Sequence, residues 1–258
     1  MARTRITLVV QNAVHLTDHL IRVRLGGPGF TSFQPNDCTD AYVKLIFPGP
    51  DGDVMRTYTV REVDRAAQEI AIDFVHHGDE GVAGPWAAAA QPGDTIDLSG
   101  PGGGYAPRSD ADWHLLAGDE SALPAIAAAC AALPADAVGQ VFVEVGGPSD
   151  ELAFPHPEGV DLTWIHRGDA EPGDRLAATV RSAPWRDGRV QVFIHGEARA
   201  VMHDLRPYIR KERAVPAEWA SSISGYWRRG RTEEGFRTWK SELAEREKAT
   251  PAAVQPIA

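Results

Sequence analysis

Trp113-His114-Leu115-Leu116-Ala117-Gly118-Asp119-Glu120-Ser121-Ala122-Leu123-Pro124 is the stretch on which the fold of this chain turns. The run Trp113–Ala117 is short and apolar without alternation, as expected of a strand buried on both faces. An alanine-rich run, Leu123–Leu133, follows after a polar turn and reads as a helix. The turn therefore joins the carboxyl end of a strand to a helix N-terminus. Open α/β sheets bind their ligands at that edge. Downstream the alternation continues. Gln140–Val145, Leu162–Ile165, Val190–Ile194 and Ser221–Trp227 read as strands. Asp174–Arg181, Ala198–Lys211 and Glu233–Lys248 read as helices, and the basic last turn of Ala198–Lys211 suits the helix dipole. Alternating strands and helices predict a parallel sheet covered on both faces.

Upstream of Trp113 the pattern changes. Ile6–Val10, Leu20–Leu25, Tyr42–Phe47, Arg56–Val60, Ile70–Val75 and Thr95–Leu98 are short β-branched runs. Turns such as Gly49-Pro50-Asp51-Gly52 and Pro92-Gly93-Asp94 separate them, which predicts an antiparallel sandwich or barrel. The expected organisation is a β domain over residues 1–108, an α/β domain with a C-terminal helix over 109–249, and a loose tail over 250–258.

Composition narrows the function classes. The net charge of -10 runs against a nucleic-acid binder, which needs a basic face, but leaves room for a local basic pocket. Cys38 and Cys130 share no metal-ligand spacing, and a chain of 258 residues needs no disulfide scaffold. The N-terminal residues lack the apolar core of a signal peptide, and no apolar run is long enough to span a bilayer. A cytoplasmic protein with no membrane insertion is the expectation.

Three motifs carry candidate chemistry. In Arg56-Thr57-Tyr58-Thr59, strand geometry puts Arg56 and Tyr58 on one side and Thr57 and Thr59 on the other. An aromatic ring, a hydroxyl and a guanidinium are what a flavin ring and its pyrophosphate need; the same four residues also read as an ordinary half-buried strand. His76-His77-Gly78-Asp79-Glu80-Gly81-Val82-Ala83-Gly84-Pro85-Trp86 places glycines ahead of a short helix at Ala87–Ala90, where backbone N–H groups can hold phosphate oxygens. It reads equally as a surface loop. The paired histidines lack a third ligand at metal spacing. In Gly118–Pro124, Asp119 or Ser121 is either a helix N-cap or part of a site.

Taken together with Gln91-Pro92-Gly93-Asp94, Gly196-Glu197 and Ser224-Gly225-Tyr226-Trp227-Arg228-Arg229-Gly230, these motifs resemble, in order and spacing, the siderophore-interacting protein family of ferredoxin-reductase-like flavoproteins. The resemblance covers nearly the whole chain. It implies an N-terminal Greek-key FAD-binding barrel, a C-terminal nicotinamide-binding α/β domain, and FAD between them. Carried over, Arg56 meets the pyrophosphate, Tyr58 packs on the isoalloxazine and Thr59 bonds near flavin N5. His77 and Gly78 line the ribityl or adenine portion, and Ala83, Gly84 and Trp86 form the diphosphate turn. Relatives often carry Ser or Thr at the place of Gly84, so only a backbone N–H serves there. Asp119, Glu120 and Ser121 border the nicotinamide cleft, with Ser121 where relatives usually have Thr, and Glu197 faces the same cleft. Arg167 is a candidate for a 2′-phosphate, which favours NADPH over NADH, or a solvated loop arginine.

On the substrate side, many ferric siderophores are anionic. Lys44 and the group Arg228, Arg229 and Arg231 are the basic candidates, though such a run is also what a solvated face looks like. Tyr226 and Trp227 are either core or flank the flavin. The implied activity is NAD(P)H-dependent reduction of a ferric siderophore. Its rivals are a flavin oxidoreductase with another acceptor and a non-catalytic siderophore-binding protein. Ferredoxin is an alternative donor, which the acidic net charge disfavours. The segment after Gly230 either covers the nicotinamide site or merely packs.

Overall fold

The computed structural model describes residues 4–50, 52–79 and 81–231, with residues 235, 236, 238, 239, 242 and 245. The expected tail at 250–258 lies outside the described residues, as does most of the expected helix at 233–248, whose six described residues are helical.

Seven antiparallel strands build the first layer: β1 (Ile6–Thr17), β2 (Leu20–Gly26), β3 (Tyr42–Phe47), β4 (Val54–Thr59), β5 (Glu62–Asp64), β6 (Glu69–Val75) and β7 (Thr95–Gly102). Their order is β4-β3-β7-β1-β2-β6-β5. Alternate residues point inward, so Leu8, Val23, Leu25, Val43, Leu45, Ile70, Ile72 and Leu98 are fully buried. Each such side chain stabilises by roughly 1.5–3 kcal/mol relative to exposure. The sheet curls until β4 and β6 face each other, and rings close the gap. Tyr58 lies 4.5 Å from Phe74 between centroids, and Trp86 lies 5.6 Å from Phe74 and 5.7 Å from Phe47.

Several sequence expectations need correction here. β1 runs seven residues past Val10, because pairing with β2 sustains it through a polar, largely solvated half beyond a register shift at Val10/Asn12. The three-residue β5 was not anticipated; it is too short to carry a period. The short helix α1 (Ala83–Ala89) starts four residues before Ala87, so Gly84 lies inside its first turn rather than ahead of it, and Pro85 stands in that first turn, as suits a proline.

The second layer is a parallel sheet, ordered β10-β9-β8-β11-β12. Its strands are β8 (Trp113–Asp119), β9 (Gly139–Val145), β10 (Val160–His166), β11 (Val190–Glu197) and β12 (Ser222–Trp227). Helix α2 (Leu123–Ala132) packs on one face against Leu116, Val141, Val143 and Phe193. Helix α3 (Asp174–Ser182) and the segment 198–212 cover the other, against Leu115, Phe142, Val192 and Ile194. The expected α-helix Ala198–Lys211 is mostly of the wider π type, at Ala200–Leu205 and Tyr208–Glu212. Between the two stretches stands Pro207, which has no N–H to donate to an α-helical ladder.

The two layers share a seam. Leu16, Leu20, Val75 and Tyr105 from the barrel side pack into the apolar cluster around α2. Tyr105 stacks on Phe193 at 4.8 Å, and His19 Nδ1 meets Asp150 Oδ1 at 2.8 Å.

Candidate functional site

The carboxyl ends of β8, β11 and β12 converge on one side chain. Asp119, 1% exposed, accepts hydrogen bonds at Oδ1 from the Ser121 N–H (3.0 Å) and hydroxyl (2.5 Å). Its Oδ2 accepts from the Glu197 N–H and from the Trp227 indole N–H, both at 2.8 Å. Neither Asp119 nor Ser121 caps α2, whose N-cap is Ala122 without a side-chain bond. Burial, reinforced by neighbouring Glu120, pushes the Asp119 carboxyl up to about 6, while the Ser121 and Trp227 hydrogen bonds pull the other way. Gly196 makes the approach possible: a Cβ there would lie 2.7 Å from the Asp119 carboxylate, and its φ of +143° suits glycine alone.

Glu197, also buried, turns its carboxylate onto the following chain. Oε2 accepts from the Arg199 and Ala200 N–H groups at 2.6 and 3.1 Å, and Oε1 from the Arg229 N–H at 3.3 Å. Beside it, Arg167 grips Glu120 through two bonds of 3.1 and 2.9 Å. Arg167 also lies 3.8 Å from buried Glu144, which accepts the N–H groups of Gly173 and Leu176 at the start of α3. A 2′-phosphate at Arg167 would thus meet a guanidinium already shared with carboxylates.

On the barrel side, Arg56 and Tyr58 stand opposite Leu45 and Val43, on the same face of the β3–β4 pair. Tyr58 is half-buried with its ring on Phe74, so one face of the ring is supported and its outer part stays accessible. Thr59 is buried, and no side-chain hydrogen bond among the described residues engages its hydroxyl. On the opposite face Lys44 donates to the Thr57 hydroxyl at 2.9 Å. Gly78 and Gly81 have positive φ, and a Cβ at either would meet nothing within 4 Å, so the loop before α1 presents open backbone. At Gly84 a Cβ would come within 3.3 Å of the Val75 carbonyl oxygen. His77 is exposed beside the seam; desolvation there lowers its pKa, and the charges of Glu120 and Arg167 both reach it.

The expected residues thus fall into groups. Asp119, Ser121, Glu197 and Trp227 are bonded together, as are Glu120 and Arg167. Tyr58 and Trp86 meet through Phe74. The basic residues do not gather: Arg228 stacks over Trp239 at 4.4 Å, Arg229 pairs with Glu171, and Arg231 is exposed. His195 was not singled out by its sequence, because one histidine within an apolar run reads as core. It stacks between Phe193 and Tyr226, at 4.4 Å from each, and bonds the Ser222 hydroxyl at 2.9 Å.

The curled antiparallel sheet abutting a parallel sheet is the two-domain architecture of ferredoxin reductases. Residues 9–54 and 51–105 match the model of a siderophore-interacting FAD-binding domain, and residues 111–230 that of a siderophore-interacting protein. The chain belongs to the siderophore-interacting protein family. It is 56% identical to an uncharacterised protein of Mycobacterium tuberculosis, over 92% of this chain and 94% of that one. It is 33% identical to the ferric vibriobactin reductase of Vibrio cholerae, over 86% and 89%. The crystal structure of a siderophore utilization protein from T. fusca superposes with a TM-score of 0.81 at 36% identity, covering 90% of this chain and 95% of that one.

Proposed function

We propose that the chain is a flavin-dependent reductase that takes electrons from NAD(P)H and delivers them to a ferric siderophore, which then releases iron(II). The observation that carries this reading is the Tyr58 ring backed by Phe74 on the curled sheet, with buried Thr59 next in the strand and open glycine backbone before α1. These residues fit FAD. Tyr58 packs on the isoalloxazine and Thr59 donates toward N5. Arg56 and the N–H groups of Ala83 and Gly84 would hold the pyrophosphate, with Trp86 at the same turn, and His77 and Gly78 would line the ribityl or adenine portion. Bound FAD supplies the conversion of a two-electron donor into one-electron delivery. The polypeptide binds, orients and excludes water.

The parallel-sheet edge serves the nicotinamide. Asp119 holds Trp227 and the Glu197 backbone in fixed places, and Ser121 and Glu120 line the entry. Arg167 leans toward NADPH: Arg167→Ala is expected to raise the KM for NADPH while leaving that for NADH nearly unchanged. Parallel rises in both would remove the 2′-phosphate role. Lys44, Arg228 and Arg231 serve the anionic substrate, a role favoured by charge rather than by convergence. The siderophore supplies the iron ligands, so no protein ligand set is required.

The decisive experiment is the visible spectrum of the purified protein. Expected are a flavin spectrum, bleaching by NADPH without oxygen, and recovery on adding a ferric siderophore. Recovery by a quinone but by no ferric chelate would transfer the chain to a general flavin oxidoreductase. A colourless protein that binds ferric siderophore would make it a binding protein.

A further inference from the structure

At the amino ends of β11 and β12, opposite the edge described above, lies a second cavity of about 270 Å³ that the reductase reading leaves unused. Eight-residue β11 separates the two edges by about 25 Å at a rise of ~3.3 Å per residue, so this cavity takes no part in chemistry at the seam. Its walls are Trp185 and Trp219, and Val190 and Val215 lie at its base. Trp185 is braced edge-on by Trp113 at 5.0 Å, and the Trp219 carbonyl is bonded by the Val192 N–H at 2.8 Å, so both walls are fixed.

Two guanidiniums among its lining residues lie over these indoles, and Trp219 also carries Arg108 at 3.7 Å. Arg213 sits 4.8 Å from the Trp185 ring centre, and Arg189 sits 5.0 Å from that of Trp219. Nearby arginines are paired with carboxylates: Arg108 with Asp110, and Arg181 with Glu212. Neither the Arg189 nor the Arg213 guanidinium has an ion pair among the described residues: Arg189 meets Asp112 only through its backbone N–H, at 2.6 Å, and Arg213 donates to the Tyr208 hydroxyl at 2.9 Å and lies over the Trp185 and Tyr208 rings. On a chain of net charge -10, two guanidiniums beside rigid indoles, without an ion pair among the described residues, concentrate positive charge locally, with Asp110 and Asp112 near Arg189. Planar walls select a planar body, and the guanidinium fork selects a carboxylate. The volume falls just under the usual range of about 300–1,000 Å³ for ligand pockets, which limits the occupant to one or two rings.

The geometry points to a binding site for a small aryl carboxylate between Trp185 and Trp219, with Arg189 and Arg213 taking its charge. The probe is 1-naphthoate, titrated calorimetrically into the full-length protein, with indole N–H resonances assigned through Trp185→Phe. Saturable binding is expected, moving the Trp185 and Trp219 resonances and persisting in excess NADPH. The neutral 1-naphthamide should bind at least tenfold more weakly. Arg189→Ala/Arg213→Ala should lower naphthoate affinity at least tenfold while leaving ferric reduction unchanged; losing the Arg213 bond to Tyr208 lowers the thermal midpoint, so both proteins are titrated well below their midpoints. Equal affinity of acid and amide, undiminished binding to the double variant, displacement by NADPH, or no binding at millimolar probe would each overturn the proposal.

Discussion

Tyr58 shows how much chemistry a single position carries. Its ring packs on Phe74 at 4.5 Å, and the proposed site lays the isoalloxazine against it. An aromatic stack adds about 0.5–1.5 kcal/mol beyond area burial. Tyr58→Ala should therefore weaken FAD binding about tenfold, read by recovery of free-flavin fluorescence, while Tyr58→Phe should stay near the parent. Unchanged affinity in the alanine variant would remove Tyr58 from the site. Gly196 gives a second test. Alanine there must accept φ +143° and a Cβ 2.7 Å from the Asp119 carboxylate. Backbone strain of this kind costs about 1–3 kcal/mol. For a chain of this size a loss of about 2 kcal/mol lowers Tm by roughly 4–8 °C, so calorimetry on Gly196→Ala should show at least that fall. Tyr58 stood out in the sequence because an aromatic ring, a hydroxyl and a guanidinium follow one another in Arg56–Thr59, a pattern an ordinary half-buried strand also shows. Gly196 was legible only as part of Gly196-Glu197; that its missing Cβ admits Asp119 from 77 positions upstream is a long-range fact no local pattern encodes.

Elements were legible where burial alone sets the pattern. β3 (Tyr42–Phe47) alternates inward and outward along its whole length, and its ends fall where the sequence places them. β1 was only half legible, since beyond Val10 its residues are held by pairing and not by a buried face. The π-type turns around Pro207 follow from a missing donor inside a helix that packs over its full length, which hydrophobic spacing does not disclose. The joining of β8, β11 and β12 through Asp119 has a measurable consequence. Its carboxyl titrates near 6 in the folded protein against 3.8 for the ordinary group. The folded state therefore binds the proton first as pH falls, and the desolvation cost present at neutral pH is relieved between about pH 6 and pH 4. Asp119→Asn has no such titration. Denaturant melts at pH 7 and pH 5 should show the parent gaining stability relative to Asp119→Asn at the lower pH. A constant difference would place the carboxyl's titration outside that window.

At the scale of the whole molecule, the seam between barrel and parallel sheet matters most, and it was the least legible feature. Resemblance placed FAD there, but the contacts across it join residues far apart in the chain, such as His19 with Asp150 and Tyr105 with Phe193. His77 reports on that seam. Desolvation lowers its pKa below the ordinary 6.5, more than the Glu120 charge across the seam raises it, with Arg167, His19 and His76 adding to the lowering. The unfolded chain therefore takes up the proton before the folded one. The stability tied to a neutral His77 is complete above about pH 6.5 and drains away as pH falls through the folded value. This runs opposite to Asp119, so a simple pH profile of the parent mixes the two. Comparing the parent with His77→Gln cancels the Asp119 contribution, because both proteins retain that carboxyl. From pH 7.5 to 5.5 the parent should lose more unfolding free energy than His77→Gln in matched denaturant melts. Equal losses would mean that the imidazole takes up its proton in the folded protein as readily as in the unfolded chain.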